Sequence, residues 1–497
     1  MTTPTGVVVP ESDGSTGPAG ARSTSALGRA VATDALARVD PVGAAATLRE
    51  TNWRQGYVGP FRRLVEAGLP SEADAVSIAR AGLAALHDRM TVVTADGEVP
   101  LADVFVEGPA GVERPLHTAT VTGTGRARAR LSIPMGGTRL EGDALLHQLD
   151  DWSDRGILEP SAADAVRTVV AEPERLRLAG QRVVVVGAGA EMGPLRALLD
   201  WGADLVGVDL PRPDLWRQLL AIAEHSAGRL TLPVTGGTGT GPELAPGAGA
   251  DLLHDLPAVA DWITGLEGNL VLGNYVYADG ATNLRVAMAV DALSVELRRR
   301  RGDDVSLAFL ATPTDVFAVP PEAVVQATHA YDDTVGLGRL LRPVFRAASG
   351  GRLLKRNYAP GSDPGLNDSI VPQQGPNYAL AKRLQRWRAT VARRDGLGVS
   401  LHVAPPTRTR SVLKNRALAA AYAGAHRFGI EVFEPATSNT LMAALLVHDL
   451  TSPRPALRPP WQEEADGAVH GGLWRGPYDP RSALGLAVVL GIGGARA

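Results

Sequence analysis

The chain has 497 residues, which is enough for two or three domains with a large buried core. Hydrophobic residues make up 45% of it and charged residues 21%, with 56 glycines and 36 prolines, which excludes a fibrous or wholly disordered protein. The 50 basic and 53 acidic side chains leave a net charge of -3, so we expect no general attraction to nucleic acid or acidic membranes, and a small-molecule substrate is favoured. The absence of cysteine excludes disulfides, a thiolate nucleophile and cysteine-ligated metal centres, and it fits a cytoplasmic location.

We expect the N-terminal end of the chain to be disordered and the C-terminal end to be folded. Residues 1–35 are rich in Thr, Ser, Gly, Pro and Ala and contain no aromatic residue, so we expect a disordered N-terminal arm without the features of a secretory signal. The apolar run from Leu484 to Ile492 would span only about 14 Å as a helix, against about 30 Å of hydrocarbon, so no membrane span is predicted. We expect this run to dock on the core as a terminal helix or strand, within a C-terminal extension over residues 451–497.

Residues 36–180 show a mixed pattern that predicts an N-terminal α+β domain of unknown role. Alternating residues around a turn at Asp96 and Gly97, and again over 117–133, predict short antiparallel strands. Apolar residues at helical spacing predict helices over 51–69, 71–90, 142–157 and 161–176.

From residue 181 to 450, apolar strands alternate with helices at the spacing of βαβ units. The run from Val183 to Val186 is continuously apolar, which indicates a strand covered on both faces. The sequence therefore predicts an α/β fold in which a Rossmann-type doubly wound parallel sheet follows the N-terminal α+β domain. Candidate strands lie at 181–189, 203–210, 228–234, 269–276, 305–311, 398–405 and 429–435.

A glycine-rich turn, GAGAEMGP, follows the first of these strands. Gly187 and Gly189 leave room for a phosphate because no Cβ intervenes, and a helix starting near Pro194 would offer free N–H groups and a positive dipole end. The third glycine of the usual pattern is displaced from Met192 to Gly193. We therefore predict a dinucleotide site that includes these three glycines and Met192.

The next strand ends at Asp209, 22 residues beyond Gly187, where a carboxylate would accept hydrogen bonds from ribose hydroxyls. The same carboxylate would repel a 2′-phosphate, which favours NAD over NADP, although the nearby Arg212 could reverse that preference. A methyltransferase that binds S-adenosylmethionine would use the same layout, but that class usually has an acidic residue where this chain has Val186.

Tyr378 and Lys382 are four residues apart, so a helix would place both side chains on one face. A phenol with a pKa near its ordinary value of about 10 is a poor acid-base catalyst at neutral pH. An ammonium about 4 Å away, at an effective dielectric near 20, would favour the phenolate by about 4 kcal/mol. The pair therefore predicts a tyrosine able to donate and accept a proton during catalysis.

Five segments between about residues 181 and 410 form a known pattern: GAGAEMG, GADLLHDL, LVLGNYVYADG, YALAK and HVAPPTRT. On these segments the chain resembles the short-chain dehydrogenase/reductase family. The resemblance implies that Tyr378 is the acid/base, and that Lys382 holds the nicotinamide ribose and lowers the pKa of the tyrosine. It also implies Asp251 or Asp255 at the adenine, and Asn274 among the cofactor-binding residues, where the family has an Asn-Ala-Gly loop.

The chain departs from this family at the serine that polarises the substrate carbonyl. The corresponding position is Gly365, and Thr312, Thr314 or Ser369 could supply the hydroxyl instead. Residues 316–377 form a large insertion, which we expect to act as a substrate lid or an interface.

Five further positions near the expected site have less definite roles. Asn283 is a weak counterpart of the family's helix asparagine, and Pro406 replaces a glycine near the nicotinamide. Tyr275, Tyr277 and Asp279 follow a strand at the edge where ligands bind in such sheets, and both binding and structural roles are open for them.

The ten histidines show no metal-ligand spacing, so no metal site is predicted. We expect an NAD(P)-dependent oxidoreductase of the short-chain type that transfers hydride between nicotinamide and a carbonyl or alcohol substrate. The main alternative is a nucleotide-binding but redox-inactive sensor or scaffold of the same fold, and another transferase or lyase is a third. The expected partner is a small molecule, with no nucleic acid and no membrane, and a homo-oligomer is left open.

Overall fold

The structure is a computed structural model that describes residues 5–11, 20–95, 97–105, 115–236, 240–333 and 337–492. Within these ranges the strands, in chain order, are β1 (Gly6–Val8), β2 (Thr91–Thr94), β3 (Gly97–Pro100), β4 (His117–Thr122), β5 (Ser132–Met135), β6 (Thr138–Glu141), β7 (Gln181–Val186), β8 (Asp204–Val208), β9 (Arg229–Val234), β10 (Asn269–Asn274), β11 (Val305–Ala311), β12 (Val316–Val319), β13 (Gly365–Asp368) and β14 (Val399–Val403).

The α-helices of the same ranges are α1 (Thr24–Ala37), α2 (Pro41–Leu48), α3 (Trp53–Gly56), α4 (Val58–Glu66), α5 (Glu72–His87), α6 (Gly142–Asp154), α7 (Pro160–Ala171), α8 (Leu195–Trp201), α9 (Pro213–His225), α10 (Leu256–Thr264), α11 (Gly280–Arg301), α12 (Pro321–Asp332), α13 (Leu337–Ala348), α14 (Pro376–Arg394), α15 (Arg410–Lys414), α16 (Arg416–Gly424), α17 (Pro435–Thr451), α18 (Pro460–Ala465) and α19 (Pro480–Gly491). The predicted helices before residue 180 correspond to α3 to α7. Ser71 caps α5 as its sequence pattern indicates, since its hydroxyl accepts a 3.0 Å hydrogen bond from the Asp74 N–H.

A seven-stranded, mostly parallel sheet organises the molecule, in the order β14-β11-β10-β7-β8-β9-β4. The strands from β7 to β9 proceed to one side, and the chain then crosses back to add β10, β11 and β14 on the other side. All these neighbours pair in parallel. Only β4, among the strands of this sheet, is antiparallel to its neighbour, β9. The α/β class and six of the seven predicted strands are confirmed.

The central strand β7 shows why its sequence is continuously apolar. Val183 and Val185 belong to one hydrophobic cluster, and Val184 and Val186 belong to the other. Helices α7, α8, α9 and α17 cover the first face, and α10, α11 and α14 cover the second. Both faces of the strand are therefore buried, as the sequence predicts.

The seventh predicted strand, at 429–435, is wrong as a sheet strand. It forms only an isolated parallel bridge between Thr407 and Phe433. The Phe433 N–H donates to the Pro406 carbonyl at 2.8 Å, and no longer ladder develops. Pro406 lacks an N–H to give to a ladder, and α17 begins at Pro435, so the extended stretch is too short to pair further.

The predicted disordered arm over 1–35 is also wrong for its described residues. Strand β1 pairs with β2, and Val7 and Val8 are buried. Helix α1 begins at Thr24 and is capped by the Ser23 side chain. The average composition of the first 35 residues conceals a run of three valines that is long enough to form a buried strand. Residues 1–4 and 12–19 lie outside the described residues.

Residues 36–180 do not form a domain with a core of their own. Strand β4 is an edge strand of the main sheet, and α1 and α5 pack against α14. On α5, a Cβ at Gly82 would overlap the ring of Trp387 on α14. Asp291 on α11 accepts two hydrogen bonds from Arg388 on α14 and contacts His87 on α5 at 2.7 Å. The predicted boundary at 180 therefore runs through a shared core, because hydrophobic periodicity does not reveal which elements pack together.

Within this region both stretches predicted to form short antiparallel strands do so, with different partners. β2 and β3 pair as expected around the turn, with Asp96 itself outside the described residues. The alternating stretch 117–133 divides instead, because β4 joins the main sheet and β5 pairs with β6.

The C-terminal extension supplies α18 and α19, and residues 493–497 lie outside the described residues. Helix α19 packs on α16, so the apolar run after Leu484 docks on the folded protein as predicted. No helix in the described ranges combines the length and apolar composition needed to cross a bilayer.

Candidate functional site

A cavity of about 1660 Å³ opens at the carboxyl edge of the parallel sheet. The order of the strands reverses between β7 and β10, and such a reversal leaves a crevice outside their carboxyl ends. Residues that end or follow five parallel strands line the cavity: Gly187 after β7, Asp209 after β8, Asn274 at the end of β10, Thr312 after β11 and Pro405 after β14.

The glycine turn after β7 needs its first glycine. Gly187 has a φ of +84°, and a Cβ there would lie 3.0 Å from backbone atoms of Tyr275. The Gly187 N–H donates to the Val208 carbonyl at 2.9 Å, which ties the turn to β8. The Gly189 N–H donates to the Asp209 carboxylate at 2.8 Å, so the turn and the end of β8 form one connected rim.

The rest of the predicted phosphate site differs from expectation. Met192 lines the cavity, but Gly193 is not among the lining residues, and its N–H donates to the Ala190 carbonyl at 3.0 Å. Helix α8 starts at Leu195, one residue beyond Pro194, and has only seven residues. The displaced glycine therefore closes a turn of the backbone, and only Gly187 and Gly189 of the three predicted glycines line the cavity.

The carboxylate of Asp209, predicted to accept hydrogen bonds from a ribose, lines the cavity at the end of β8. Besides the Gly189 N–H, it accepts a 2.8 Å hydrogen bond from the Leu210 N–H. Burial raises the pKa of this carboxyl, and the two backbone donors oppose that rise. Arg212 on the same rim is ion-paired with Asp214 at 2.7 Å. The arginine that could favour a 2′-phosphate is thus already engaged by a carboxylate.

The structure distinguishes between the two aspartates considered for the adenine position. Asp251 lines the cavity, where its carboxylate accepts a hydrogen bond from the Leu253 N–H and contacts His254. Asp255 is not among the lining residues, and its carboxylate accepts a 2.9 Å hydrogen bond from the Asp251 N–H. Asp255 therefore shapes the turn, and Asp251 faces the cavity.

Two amide side chains on the cavity wall have unused hydrogen-bonding capacity. Asn274 is 2% exposed, and its Oδ1 is buried without a hydrogen-bond partner among the described residues. Gln374 donates from Nε2 to the Thr314 carbonyl at 2.9 Å, and its buried Oε1 also lacks such a partner. A buried amide oxygen without a donor is costly, so both atoms mark places where a ligand could supply one.

Tyr378 lies in the first turn of α14, beside the end of β11. Burial raises the pKa of its phenol to about 12, and a hydrogen bond with the Thr312 side chain acts in the opposite direction. The Thr312 and Thr314 hydroxyls lie 2.9 Å apart, whereas Ser369 donates to the Asn367 side chain. Of the three hydroxyls considered for the family serine, Thr312 is the one whose side chain acts on the pKa of the Tyr378 phenol.

Lys382 lines the same cavity, one turn further along α14. Its Nζ donates to the Leu310 carbonyl at 3.0 Å and to the Gln385 amide oxygen at 3.2 Å. Burial lowers the pKa of Lys382 to about 8. The expectation that its ammonium lowers the pKa of Tyr378 is therefore wrong for this structure, since Lys382 is not among the groups that act on the phenol. Helical spacing aligns the two residues on one face, but the lysine side chain extends to the sheet.

A buried cluster of charges holds α14 against the end of β11. Asp315 is 1% exposed and accepts hydrogen bonds from Arg383 at 2.6 Å and from Arg386 at 2.7 Å. Arg386 also donates to Glu464. Burial acts to raise the pKa of Asp315, but the two guanidinium groups outweigh it and leave the pKa below its ordinary value. Because Thr312 and Asp315 share one loop, this cluster fixes the position of Tyr378 relative to Thr312.

Two aromatic side chains surround the phenol of Tyr378. The ring of Tyr277 lies edge-on at 6.3 Å between centroids. Burial raises the pKa of Tyr422 to about 12, and the nearby Tyr378 phenol adds to the effect. Asn283 lines the cavity and accepts a hydrogen bond from the Ala278 N–H, so it shapes the loop after β10.

The rim of the cavity is closed by a contact between distant parts of the chain. Glu191 of the glycine turn accepts hydrogen bonds from the backbone and the side chain of Arg410, at 2.8 and 2.9 Å. Asn439 on α17 donates to the Glu191 carbonyl at 3.1 Å. The segment after β14 is thereby held across the glycine turn.

Beyond Tyr378 the cavity continues into a part that we term the apolar lobe. It is lined by residues of α16, α19 and the loops around 428–432 and 473–478, namely Leu418, Ala421, Tyr422, Ala425, Phe428, Ile430, Val432, Leu473, Tyr478, Pro480, Ala483, Leu484 and Ala487. No sequence pattern indicated this part, because its residues lie in separate segments and none is a recognisable motif.

Ten of the eleven residues predicted for the site line this one cavity: Gly187, Gly189, Met192, Asp209, Asp251, Asn274, Thr312, Thr314, Tyr378 and Lys382. Gly193 does not. The insertion 316–377 contributes Ser369, Val371 and residues 373–377 to the wall, so part of it borders the expected substrate position. Within the described ranges, no group of three or more His, Asp or Glu residues is arranged to hold a metal ion.

A scan against protein-family models and a search of curated proteins both found no match to this chain.

Proposed function

We propose that the chain is an NAD(P)-dependent oxidoreductase with a Rossmann-type sheet, which transfers hydride between nicotinamide and a carbonyl or alcohol substrate. The observation that carries the proposal is the convergence of the glycine turn, Asp209, Thr312 and Tyr378 on one cavity at the reversal of the strand order. Numbered from β7, the parallel strands follow the order 3-2-1-4-5-6, with β4 added at one edge. That order and that crevice are typical of dinucleotide-binding sheets.

The residues present fit a nicotinamide dinucleotide. Gly187 and Gly189 offer a backbone surface free of Cβ atoms for the pyrophosphate, and Asp209 would accept hydrogen bonds from a ribose. The buried Oδ1 of Asn274 lacks a donor that a bound cofactor would supply. NAD is favoured over NADP, because a carboxylate ends β8 and Arg212 is paired with Asp214.

The Tyr378 phenol is protonated at neutral pH, so it can donate to a carbonyl oxygen, and its raised pKa makes it a weaker acid than an ordinary phenol. When bound, a reduced nicotinamide would supply a hydride to the carbonyl carbon. Tyr378, with a pKa near 12, stays protonated and gives its proton to the carbonyl oxygen, so that C=O becomes CH–OH. The Thr312 hydroxyl orients the same oxygen and hydrogen bonds to the phenolate that remains. Oxidation of the alcohol requires that phenolate at the start and is favoured only at higher pH.

One observation favours the alternative of a redox-inactive nucleotide sensor or scaffold. Lys382 donates to Leu310 and Gln385, and the pKa of Tyr378 lies above its ordinary value instead of below it. A protein that binds the dinucleotide without turning it over would tolerate this arrangement.

Binding and turnover separate the two proposals. NADH, NADPH and S-adenosylmethionine are titrated against the protein by calorimetry, and NADH consumption is then followed with a panel of aldehydes and ketones. We expect NADH to bind, and Gly187→Ala to weaken its binding by about tenfold or more, since the added Cβ meets Tyr275 in a left-handed conformation. The control is Gly59→Ala, whose Cβ has no neighbour within 4 Å.

Three outcomes decide the matter. NADH binding with turnover supports the oxidoreductase. NADH binding without turnover on any carbonyl supports the sensor or scaffold. Binding of S-adenosylmethionine alone, or of none of the three compounds, contradicts both.

A further inference from the structure

We infer that the substrate of this site carries an extended apolar chain on its reacting carbonyl or carbinol carbon, and that this chain occupies the apolar lobe. The inference rests on the proposed function and adds the class of substrate. It comes from the uneven chemistry of the cavity wall, which carries charged and polar side chains at the strand edge, whereas the residues of the apolar lobe are all aliphatic or aromatic.

The wall of the apolar lobe contains no charged side chain. Every cavity-lining residue from Leu418 to Ala487 is aliphatic or aromatic, and this whole stretch is described by the structure. The charged lining residues Arg410 and Lys414 precede this stretch and lie in α15. A ligand part that enters the lobe therefore finds no partner for a charge and gains by burying hydrocarbon.

The apolar lobe begins at the reacting group. Tyr422 on α16 is close enough to Tyr378 for the two phenols to influence each other, and both line the one cavity. A carbonyl oxygen held by Tyr378 and Thr312 thus lies in the same cavity as Tyr422 and the other lobe residues. The lobe and the reaction centre are parts of one site.

The walls of the apolar lobe are held together as a unit. A Cβ at Gly424 on α16 would overlap the Ala487 carbonyl, and one at Gly491 on α19 would overlap the Ala420 carbonyl. The two helices therefore contact each other through their backbones, and the lobe lies along a pair of helices that keep their spacing. This apolar surface is already formed before a ligand binds. Binding of a flexible chain is therefore not opposed by the cost of assembling the surface.

The size of the cavity agrees with two occupants. At about 1660 Å³ it exceeds the roughly 300–1,000 Å³ that is usual for a single small-molecule site. The strand edge has the groups for a dinucleotide, and the apolar lobe remains for a second molecule.

A homologous series of 2-alkanones, from 2-butanone to 2-decanone, tests the inference with the full-length protein and NADH. Each methylene that enters the lobe should raise kcat/KM by up to about fourfold, the value expected for one buried CH₂ group. Equilibrium binding of the same ketones without cofactor is measured by calorimetry, and it should show the same dependence on chain length.

Two variants on one helix locate the effect. Leu484 on α19 lines the lobe and is half-buried, whereas Leu490 on α19 is 51% exposed and does not line it. Leu484→Glu should flatten the dependence on chain length, and the matched Leu490→Glu should leave it as in the unmodified protein. Thermal midpoints of both variants verify that they are folded. Should Leu484→Glu fail to fold, Leu484→Ala replaces it and should lower the gain for the longest ketones.

The results also separate this inference from the proposed function. Turnover of all the ketones at similar kcat/KM, or equal behaviour of the two glutamate variants, overturns the apolar lobe as the substrate site while the oxidoreductase stands. Ketone binding that grows with chain length, without any binding of NADH or NADPH, supports the lobe and overturns the proposed function.

Discussion

The strand edge and the apolar lobe are two ends of one cavity, and they are built in different ways. At the strand edge each key residue ends or closely follows a parallel strand, and three of them are Asp209, Asn274 and Thr312. In the apolar lobe the lining residues come from α16, α19 and two loops, which are joined only by tertiary packing. The edge carries charged and polar side chains joined by hydrogen bonds, whereas the lobe residues are aliphatic or aromatic.

This difference indicates that the two ends of the cavity have separate roles. A site at strand ends is positioned by the sheet itself, so a small number of residues is enough to hold a cofactor and a proton donor. Helices packed on the outside can change their side chains without altering the sheet. We therefore expect chemistry to depend on the strand edge and selectivity to depend on the apolar lobe.

The largest effect is expected from Tyr378→Phe, which tests whether the chemistry resides at the strand edge. Loss of the proton donor should lower kcat by about 10²- to 10⁴-fold and leave the affinity for NADH unchanged. The measurement is steady-state turnover together with calorimetric titration of NADH. The control is Tyr358→Phe, since the Tyr358 hydroxyl donates to the Trp474 carbonyl and does not face the cavity. Full activity of Tyr378→Phe would remove the role assigned to the phenol.

The next effect concerns the charge cluster that anchors α14. Asp315→Ala leaves Arg383 and Arg386 buried without this partner, and should lower the free energy of unfolding by about 3–5 kcal/mol. Because the pKa of Asp315 is lower in the folded state, its contribution is present above the unfolded value of about 4 and is lost as pH falls.

Urea unfolding at pH 7 and at several pH values below 4 measures this contribution, with the exposed Asp304→Ala as control. An Asp315→Ala protein as stable as the control would show that the cluster does not hold the helix.

The lowered pKa of Lys382 predicts that the free energy of unfolding changes with pH in the alkaline range. Its pKa of about 8 in the folded protein lies below the unfolded value near 10.4, so the unfolded chain binds the additional proton between these pH values. Stability should therefore rise by up to about 3 kcal/mol as pH increases from 8 to 10.5, relative to Lys382→Met. Denaturant unfolding at several pH values measures the difference. The exposed Lys355→Met should show no such divergence from the unmodified protein.

The smallest expected effect comes from a pair of buried asparagines on the cavity wall. Asn274→Leu removes an amide oxygen that has no partner, so it should raise the free energy of unfolding by about 1 kcal/mol while weakening NADH binding by about tenfold. Asn283→Leu removes an oxygen that accepts from Ala278, so it should destabilise the protein by about 1–3 kcal/mol.

Asn274 and Asn283 are 2% and 4% exposed. If the two leucine substitutions change the free energy of unfolding in opposite directions, this would identify Asn274 as a ligand-binding group. Equal destabilisation by both substitutions would instead assign a structural role to Asn274.

Much of the strand edge could be predicted because its signals are local. A continuous apolar run marks β7, a glycine turn follows it, and Asp209 ends the next strand. The spacing of Tyr378 and Lys382 also placed both residues in the cavity. Spacing does not determine where a long side chain extends, and this is why the contact of Lys382 with Leu310 was not foreseen.

The remaining features depend on packing between distant segments. The partner of Tyr378 is Thr312, 66 positions earlier, and the position of α14 depends on Asp315 and Glu464. The strand at Gly6–Val8 was hidden by the average composition around it, and β4 joined a sheet whose other strands all follow residue 180. Periodicity describes single elements, so it could not reveal these neighbours or the apolar lobe.

The backbone contact between α16 and α19 ties the last helix of the described chain to the lobe. Under the proposed function, we therefore expect that exchanging α19, or adding residues close to Gly491, alters which compounds are accepted and leaves the strand edge unchanged. A library of substitutions limited to the twelve positions of α19 would thus be a small one with which to change the range of compounds that the lobe accepts.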